Sequence, residues 1–232
     1  MKKLVIALCL AVTAVLAARA DIKVVSLQGD VKVRHGAEEE WRTVAVGDVI
    51  KPEDSMRSGL GASVSLLVDE DKKLSLPEMV IVDCSDLRTL TQEELLLKLA
   101  MEGIRSLPPQ KRDGGISVPR TTTVHGSRSE SGSVVHPGNK EGYVMLLNGT
   151  KVLHRSAFYA TMVLRAKEIF RLSPELKKRY DVRLLMADAF EKMDLKSEAL
   201  GEYTSLSKER LPVNTRSVVE GKIAELRKGE AR

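Results

Sequence analysis

Two cysteines, four histidines and one tryptophan are spread through 232 residues, and aromatics total only 3% of the chain. Each scarcity closes a class of function. Cys9 falls in a segment expected to be removed on export, so Cys84 is left alone and no internal disulfide is available. No histidine lies within ten residues of Cys84 to suggest an activated thiolate. A buried small apolar residue is the favoured reading, with an intermolecular disulfide or a reactive thiol as the alternatives. His35, His125, His136 and His154 have no metal-pair spacing on a helix or hairpin. Gly59-Leu60-Gly61 lacks the rest of a dinucleotide fingerprint. Neither a Gly-x-Ser-x-Gly nor a phosphate-loop signature occurs. Glu38-Glu39-Glu40 reads as a solvated loop rather than a catalytic pair, and Lys177-Lys178-Arg179 as a solvated helix face. The expectation is a protein that is not an enzyme, with no catalytic, cofactor-binding or metal-ligating residue and no cofactor.

What is present begins with an export pattern. Lys2 and Lys3 precede an apolar run from Leu4 to Leu16, and Ala18-Arg19-Ala20 follows. Small residues at Ala18 and Ala20 predict signal-peptidase cleavage before Asp21. The run is shorter than the ~20 residues of a spanning helix, which disfavours a retained anchor. Leu8 before Cys9 disfavours a lipid anchor, and no later segment is apolar enough to span. Loss of Lys2, Lys3 and Arg19 from 37 basic residues leaves 34 against 32 acidic ones, a net of +2. Near-neutrality and export together argue against a nucleic-acid partner.

Residues 22–84 read as short strands separated by turns. Ile22 to Leu27 is β-branched and apolar, Val31-Lys32-Val33-Arg34 alternates with period two, and Trp41 and Val44-Ala45-Val46 continue the apolar signal. Ser63 to Val68, Leu74-Ser75-Leu76 and Met79 to Val82 complete the set, which suggests a small sandwich or rolled sheet. Thr91 with Glu94 matches a capping box. The helix it opens runs to Leu107, carries Leu96, Leu99, Ala100, Ile104 and Leu107 on one face, and is expected to pack beside the sheet. Pro108-Pro109 ends it. Residues 108–140 are rich in Gly, Ser, Thr and Pro and read as a flexible linker, with a short strand allowed at Thr121 to Val124. From about 141 the pattern is helical: Ser156 to Leu172, then a helix capped by Ser173 and running to about Lys192. Leu195 to Arg210 and a last helix capped by Asn214 follow.

Ala187, Phe190, Asp194, Ala199, Tyr203 and Pro212 stand at offsets that resemble the tetratricopeptide repeat. The resemblance implies packing roles for Ala187, Phe190, Ala199 and Tyr203. Arg183 stands where that family favours Trp, and Leu206 replaces a usual Ala. The strand region resembles the FecR-type periplasmic domain of iron-dicitrate regulators. Gly29 to Val33, Trp41 with Val46-Gly47-Asp48, Glu53 to Gly59 as an acidic-x-x-Arg-Ser-Gly turn, and Ala62 to Leu66 followed by Leu74-Ser75-Leu76 carry that likeness. Signalling members of the family have a cytoplasmic part and a membrane helix. Here a signal peptide stands instead, which resembles the stand-alone exported members.

The expectation is therefore an α+β chain of two domains. Residues 1–20 form a signal peptide, 21–107 a FecR-like β-domain with a following helix, 108–140 a linker and 141–232 a tetratricopeptide-like domain of antiparallel helices. The β-domain is expected to be a small antiparallel β-sandwich or β-roll. The expected role is a non-catalytic adaptor of the periplasm or bacterial cell envelope, with an envelope protein as partner and self-association allowed. The alternative is a cell-wall module binding peptidoglycan or polysaccharide, with Trp41 as the possible ligand contact and a core packing role as its competing reading.

Overall fold

A computed structural model describes residues 22–36, 38, 40–68, 72–105 and 140–230. The expected cleavage site at Ala18, Ala20 and Asp21 lies outside the described residues, as do the stretch 106–139, His125, His136 and the strand considered at Thr121 to Val124. The architecture is α+β, with two antiparallel four-stranded sheets followed by helices. Strands β1 (Ile22–Gln28), β4 (Val49–Ile50), β6 (Ser63–Val68) and β7 (Lys72–Leu76) make one sheet in the order β4-β1-β6-β7. Strands β2 (Val31–His35), β3 (Arg42–Thr43), β5 (Asp54–Ser58) and β8 (Val80–Asp83) make the other in the order β3-β2-β5-β8.

Period-two alternation sorts the faces. Val24, Val64, Leu66, Leu74 and Leu76 from the first sheet share one core with Val31, Met56, Val80 and Val82 from the second. Lys32, Arg34, Ser55, Arg57, Ile81 and Asp83 occupy the opposite face of the second sheet, as their register requires. A bulge at Val25 breaks the alternation, so Val25 and Ser26 are both exposed. Gly29 joins β1 to β2 at φ +75°, and a Cβ there would press on the Ala62 backbone, so the turn excludes side chains.

Among the described residues six helices follow: α1 (Gln92–Arg105), α2 (Lys140–Arg155), α3 (Tyr159–Leu172), α4 (Tyr180–Lys192), α5 (Lys196–Ser207) and α6 (Val213–Glu230). Short 3-10 turns at Cys84–Asp86 and Pro174–Lys178 lead out of β8 and into α4. Helix α2 lies against β8, the outer strand of its sheet, and the sheet core runs continuously into the helical core. The contact is specific at the backbone. Asn148 Nδ2 donates to the Met79 carbonyl at 3.0 Å, and Gly149 meets the carbonyl of Ile81, two residues along the same edge. An edge strand with free carbonyls invites pairing with another chain, and a covering helix removes that hazard.

Five expectations are corrected. The segment Glu53 to Gly59 is not chiefly a turn: Asp54–Ser58 is β5, an interior strand paired on both sides. Asp54, Ser55 and Ser58 are buried in it because Ser55 bonds Asp83, Ser58 bonds the Pro77 carbonyl and Asp54 bonds His35 and the Lys51 amide. Helix α1 packs on α3, and its inward stripe is Leu95, Leu99 and Glu102, because Glu102 pairs with Arg171 at 2.5 Å. Leu96, Ala100 and Ile104 are exposed, while Leu107 lies outside the described residues. The capping box is half-formed: Thr91 Oγ1 accepts from the Glu94 amide, but the Glu94 carboxylate accepts from Arg88. Ser173 opens a 3-10 turn and bonds Glu175 rather than capping a long helix, and the chain at Arg179 (ψ 79°) leaves helical geometry before α4 starts. Asn214 lies inside α6, which is entered from the Pro212 carbonyl.

Gly149→Ala drives a methyl group into the Ile81 carbonyl, and overpacking of this kind costs about 1–3 kcal/mol. The exposed helical Gly221 has open space around it, and Gly221→Ala stabilises by up to about 1 kcal/mol. Urea unfolding of the two variants is expected to shift the midpoint in opposite directions.

Candidate functional site

The junction of sheet and helices is built around one cation. Arg165 on α3 is 8% exposed. Its Nη2 stands 2.7 Å from Asp83 as an ion pair, and it donates from Nε to Asp86 at 2.8 Å and from Nη1 to Glu168 at 2.9 Å. Asp83 also accepts from Ser55 Oγ at 2.6 Å, and Thr161 Oγ1 donates to the Asp86 carbonyl at 2.8 Å. Burial would lower the Arg165 pKa, but the facing carboxylates outweigh it and raise the value, so the guanidinium stays charged. Three carboxylates around one guanidinium leave excess negative charge. Burial, with Asp83 and Glu168 adding repulsion, pushes the Asp86 carboxyl up to about 6 despite its bond to Arg165. Cys84 lies beside this cluster, 3% exposed, and its thiol pKa is raised by burial first and by Asp54, Asp83 and Asp86 next. Such a thiol stays protonated and behaves as a small apolar residue.

The helices leave a cleft of about 810 Å³ between α1 and the layer formed by α3, α4 and α5. Phe170, Met186 and Phe190 line its apolar floor, with Leu96, Leu99 and Ala100 of α1 along one side. Much of the charge at its walls is already neutralised. Arg171 pairs with Glu102, and Arg183 pairs with Glu202 at 2.6 Å and with Glu209, and donates to Ser205. Among the described residues, Lys167 and Lys177 line the cleft without an ion-pair partner. Beside it on α1, Leu97 (64% exposed), Met101 (44%) and Ile104 (69%) extend the apolar surface. The volume is typical of a ligand pocket, and one helix with a largely wet apolar side borders it.

The four repeat-like residues are buried in the helical core: Ala187, Phe190, Ala199 and Tyr203 are at most 3% exposed. Tyr203 donates to Glu191 at 2.6 Å, and Glu191 in turn pairs with Lys222, which ties α5 to α4 and α6. Burial first, and the Glu191 carboxylate next, raise the Tyr203 pKa. Phe190 also reaches the cleft floor. Trp41 is half-buried on the outward face of the second sheet, under the guanidiniums of Arg34 (5.3 Å to the ring centre) and Arg57 (5.7 Å). His35 and His154 each meet a carboxylate, Asp54 at 2.6 Å and Asp188 at 2.7 Å, with the His35 ring still exposed and the His154 ring partly buried. Lys177 and Lys178 are exposed, but on a 3-10 turn rather than a helix face, and Arg179 is bonded to Asp181. Among the described residues no group of three or more His, Cys, Asp or Glu side chains has metal-site geometry.

Sequence reading missed Arg165 and the cleft, and noted Arg183 only as a departure from the repeat pattern. Arg183, where a tetratricopeptide repeat favours Trp, bridges α4 to α5 through two glutamates, doing with charge what a large ring does by volume. An arginine in an apolar helical stretch was the available signal for Arg165; Glu168 is a local partner, but Asp86 and Asp83 lie 79 and 82 positions earlier in the chain, beyond the reach of any local pattern.

The Asp86 environment sets a pH dependence. In the unfolded chain Asp86 ionises near pH 4, whereas in the folded chain it holds its proton to about 6. Between those values the folded state binds more protons, so raising the pH costs stability. Relative to Asp86→Asn, the native chain is expected to lose about 1 kcal/mol per pH unit from pH 4 to 6 in denaturant unfolding, then to run parallel. Arg165→Met leaves Asp83 and Asp86 unpaired and is expected to cost about 3–5 kcal/mol at neutral pH.

Comparison with protein-family models, with curated proteins and with solved structures finds no match to this chain.

Proposed function

We propose that this chain is a non-catalytic exported adaptor of the bacterial cell envelope, and that it holds a segment of a partner protein in the cleft between α1 and α3–α5. The observation that carries the reading is the pairing of that cleft with exposed Leu96, Leu97, Met101 and Ile104 on its bordering helix. Apolar side chains at i, i+3 and i+4 spacing fit that kind of groove, and helix-in-groove recognition uses such anchors. Lys167 and Lys177 at the walls favour a segment that also carries Asp or Glu. Strand addition is a poorer route for this fold. The β8 edge is covered by α2, and β3 and β4 are two residues each, so β7 is the one outer strand of ordinary length among the described residues. The FecR-like resemblance and the export pattern support a periplasmic or envelope location for the adaptor.

A photo-crosslinker at Ala100, in the full chain expressed in cells, is expected to capture one discrete envelope protein, and a crosslinker at exposed Val218 on α6 is not. The captured segment, made as a peptide, is expected to bind the purified protein and to lose about tenfold or more in affinity to Leu96→Glu, with thermal unfolding unchanged. Equal capture at Ala100 and Val218, or a peptide indifferent to Leu96→Glu, overturns the proposal.

A further inference from the structure

The outward face of the second sheet carries an unbalanced cluster of cations. Lys32 and Arg57 stand directly opposite one another on β2 and β5, and Arg34 lies two residues along β2 on the same face. Like charges directly opposite in a sheet are destabilising. The counter-charge is slight: Asp30 approaches Lys32 at 3.7 Å from a half-exposed position. Among the described residues, no carboxylate pairs with Arg34 or Arg57, and Arg34 Nε is buried with no hydrogen-bond partner. Trp41 beneath both guanidiniums offsets part of the repulsion by cation–π attraction and fixes their positions. At the other end of the same sheet face, by contrast, Arg165 is surrounded by carboxylates. The sheet thus has one satisfied cation at β8 and three poorly satisfied ones at β2 and β5.

We propose that Arg34, Arg57 and Lys32, held in place by Trp41, form a binding site for an anionic polysaccharide, a chain of sugars bearing carboxylate or phosphate groups. Planar guanidiniums with free donors recognise both groups through paired N–H bonds. The three cations repeat at roughly 5 Å across strands and 7 Å along β2, so a chain with repeated charges engages more than one of them. A peptide is the poorer ligand here. Strands β2 and β5 are interior and their backbone groups are taken by neighbouring strands, so no strand can be added. The ring of Trp41 lies under guanidiniums rather than standing as an open platform, which disfavours a stacked nucleobase. The site lies on the sheet, apart from the helical cleft, and does not depend on the cleft's role.

Trp41 is the chain's single tryptophan, so its fluorescence reports on this site alone. The full chain is titrated with oligogalacturonate, with dextran phosphate and with neutral dextran, and binding is checked by calorimetry. The expected result is a saturable emission change with one or both charged glycans, weakened by added salt, and none with neutral dextran. The charged glycan that binds tighter identifies the group recognised. Arg57→Gln and Arg34→Gln are each expected to lower affinity about tenfold or more, with circular dichroism unchanged. Should Arg34→Gln fail to fold, half-exposed Arg57→Gln carries the test, with Arg57→Lys retaining part of the binding. No emission change with either charged glycan overturns the proposal. So does affinity that is equal for polyglutamate or a single-stranded oligonucleotide, or binding untouched by Arg57→Gln.

Discussion

The ion cluster of Arg165 with Asp83 and Asp86 is what makes a sheet sandwich and a helical array share one core. A buried guanidinium is costly to desolvate and is tolerated only where its donors are met. Here three acids surround it, and two of those acids sit at the end of β8 and in the 3-10 turn after it. Ser55 and Thr161 complete the geometry from β5 and α3, so each partner is fixed by a different element. Such a pair stabilises little by itself, because desolvation consumes most of the Coulomb gain. Its effect is on orientation: apolar packing between α2 and β8 tolerates sliding, whereas a forked donor meeting several carboxylates does not. Gly149 and Asn148 depend on that register, since each must meet one particular carbonyl of the β8 edge.

Covering β8 has consequences for both ends of the molecule. The helical layer spends α2 on the sheet and α3 on holding α2, so α1 is left with only one side packed. Its inward stripe of Leu95, Leu99 and Glu102 is anchored by Arg171, and the neighbouring stripe faces the cleft or water. On the sheet, the helices reach Ile81 and Asp83 and bury them, while Lys32, Arg34 and Arg57 further across remain outside that cover. The two candidate binding surfaces, one apolar with a charged rim and one cationic, therefore arise from a single packing decision.

How far the sequence disclosed this depends on the range of each interaction. Strands β1, β2, β6, β7 and β8 were readable because alternation of Val, Leu and Ile is a local pattern, and the α+β order followed from the change of period. Strand β5 was not, because Asp-Ser-Met-Arg-Ser has the composition of a turn; it becomes a strand only when Asp83, His35 and Pro77 supply partners for its polar groups. The face of α1 was misjudged for the same reason: a stripe of leucines was taken as the inward side, while the deciding contact was a glutamate to a distant arginine. Ala187, Phe190, Ala199 and Tyr203 were legible as packing residues because small and aromatic residues at helical spacing have few other uses. The cleft is made by four helices that no single window of sequence contains.

Trp41 shows how a residue can be noticed correctly and its part still be unreadable. As a lone indole in a small β-unit it fitted either a core residue or an open stacking surface. Which of these holds depends on what the strands beside it present, and register decides that: with Arg42 opposite Val33, Trp41 falls next to Arg34, and pairing of Lys32 with Arg57 brings the second guanidinium to the same side. A slip of one residue in β2 would send both Lys32 and Arg34 into the core, an arrangement that burial cost forbids. Val31 and Val33 hold the register that points the cations outward, so the apolar alternation on one face of β2 is also what assembles the charged cluster on the other.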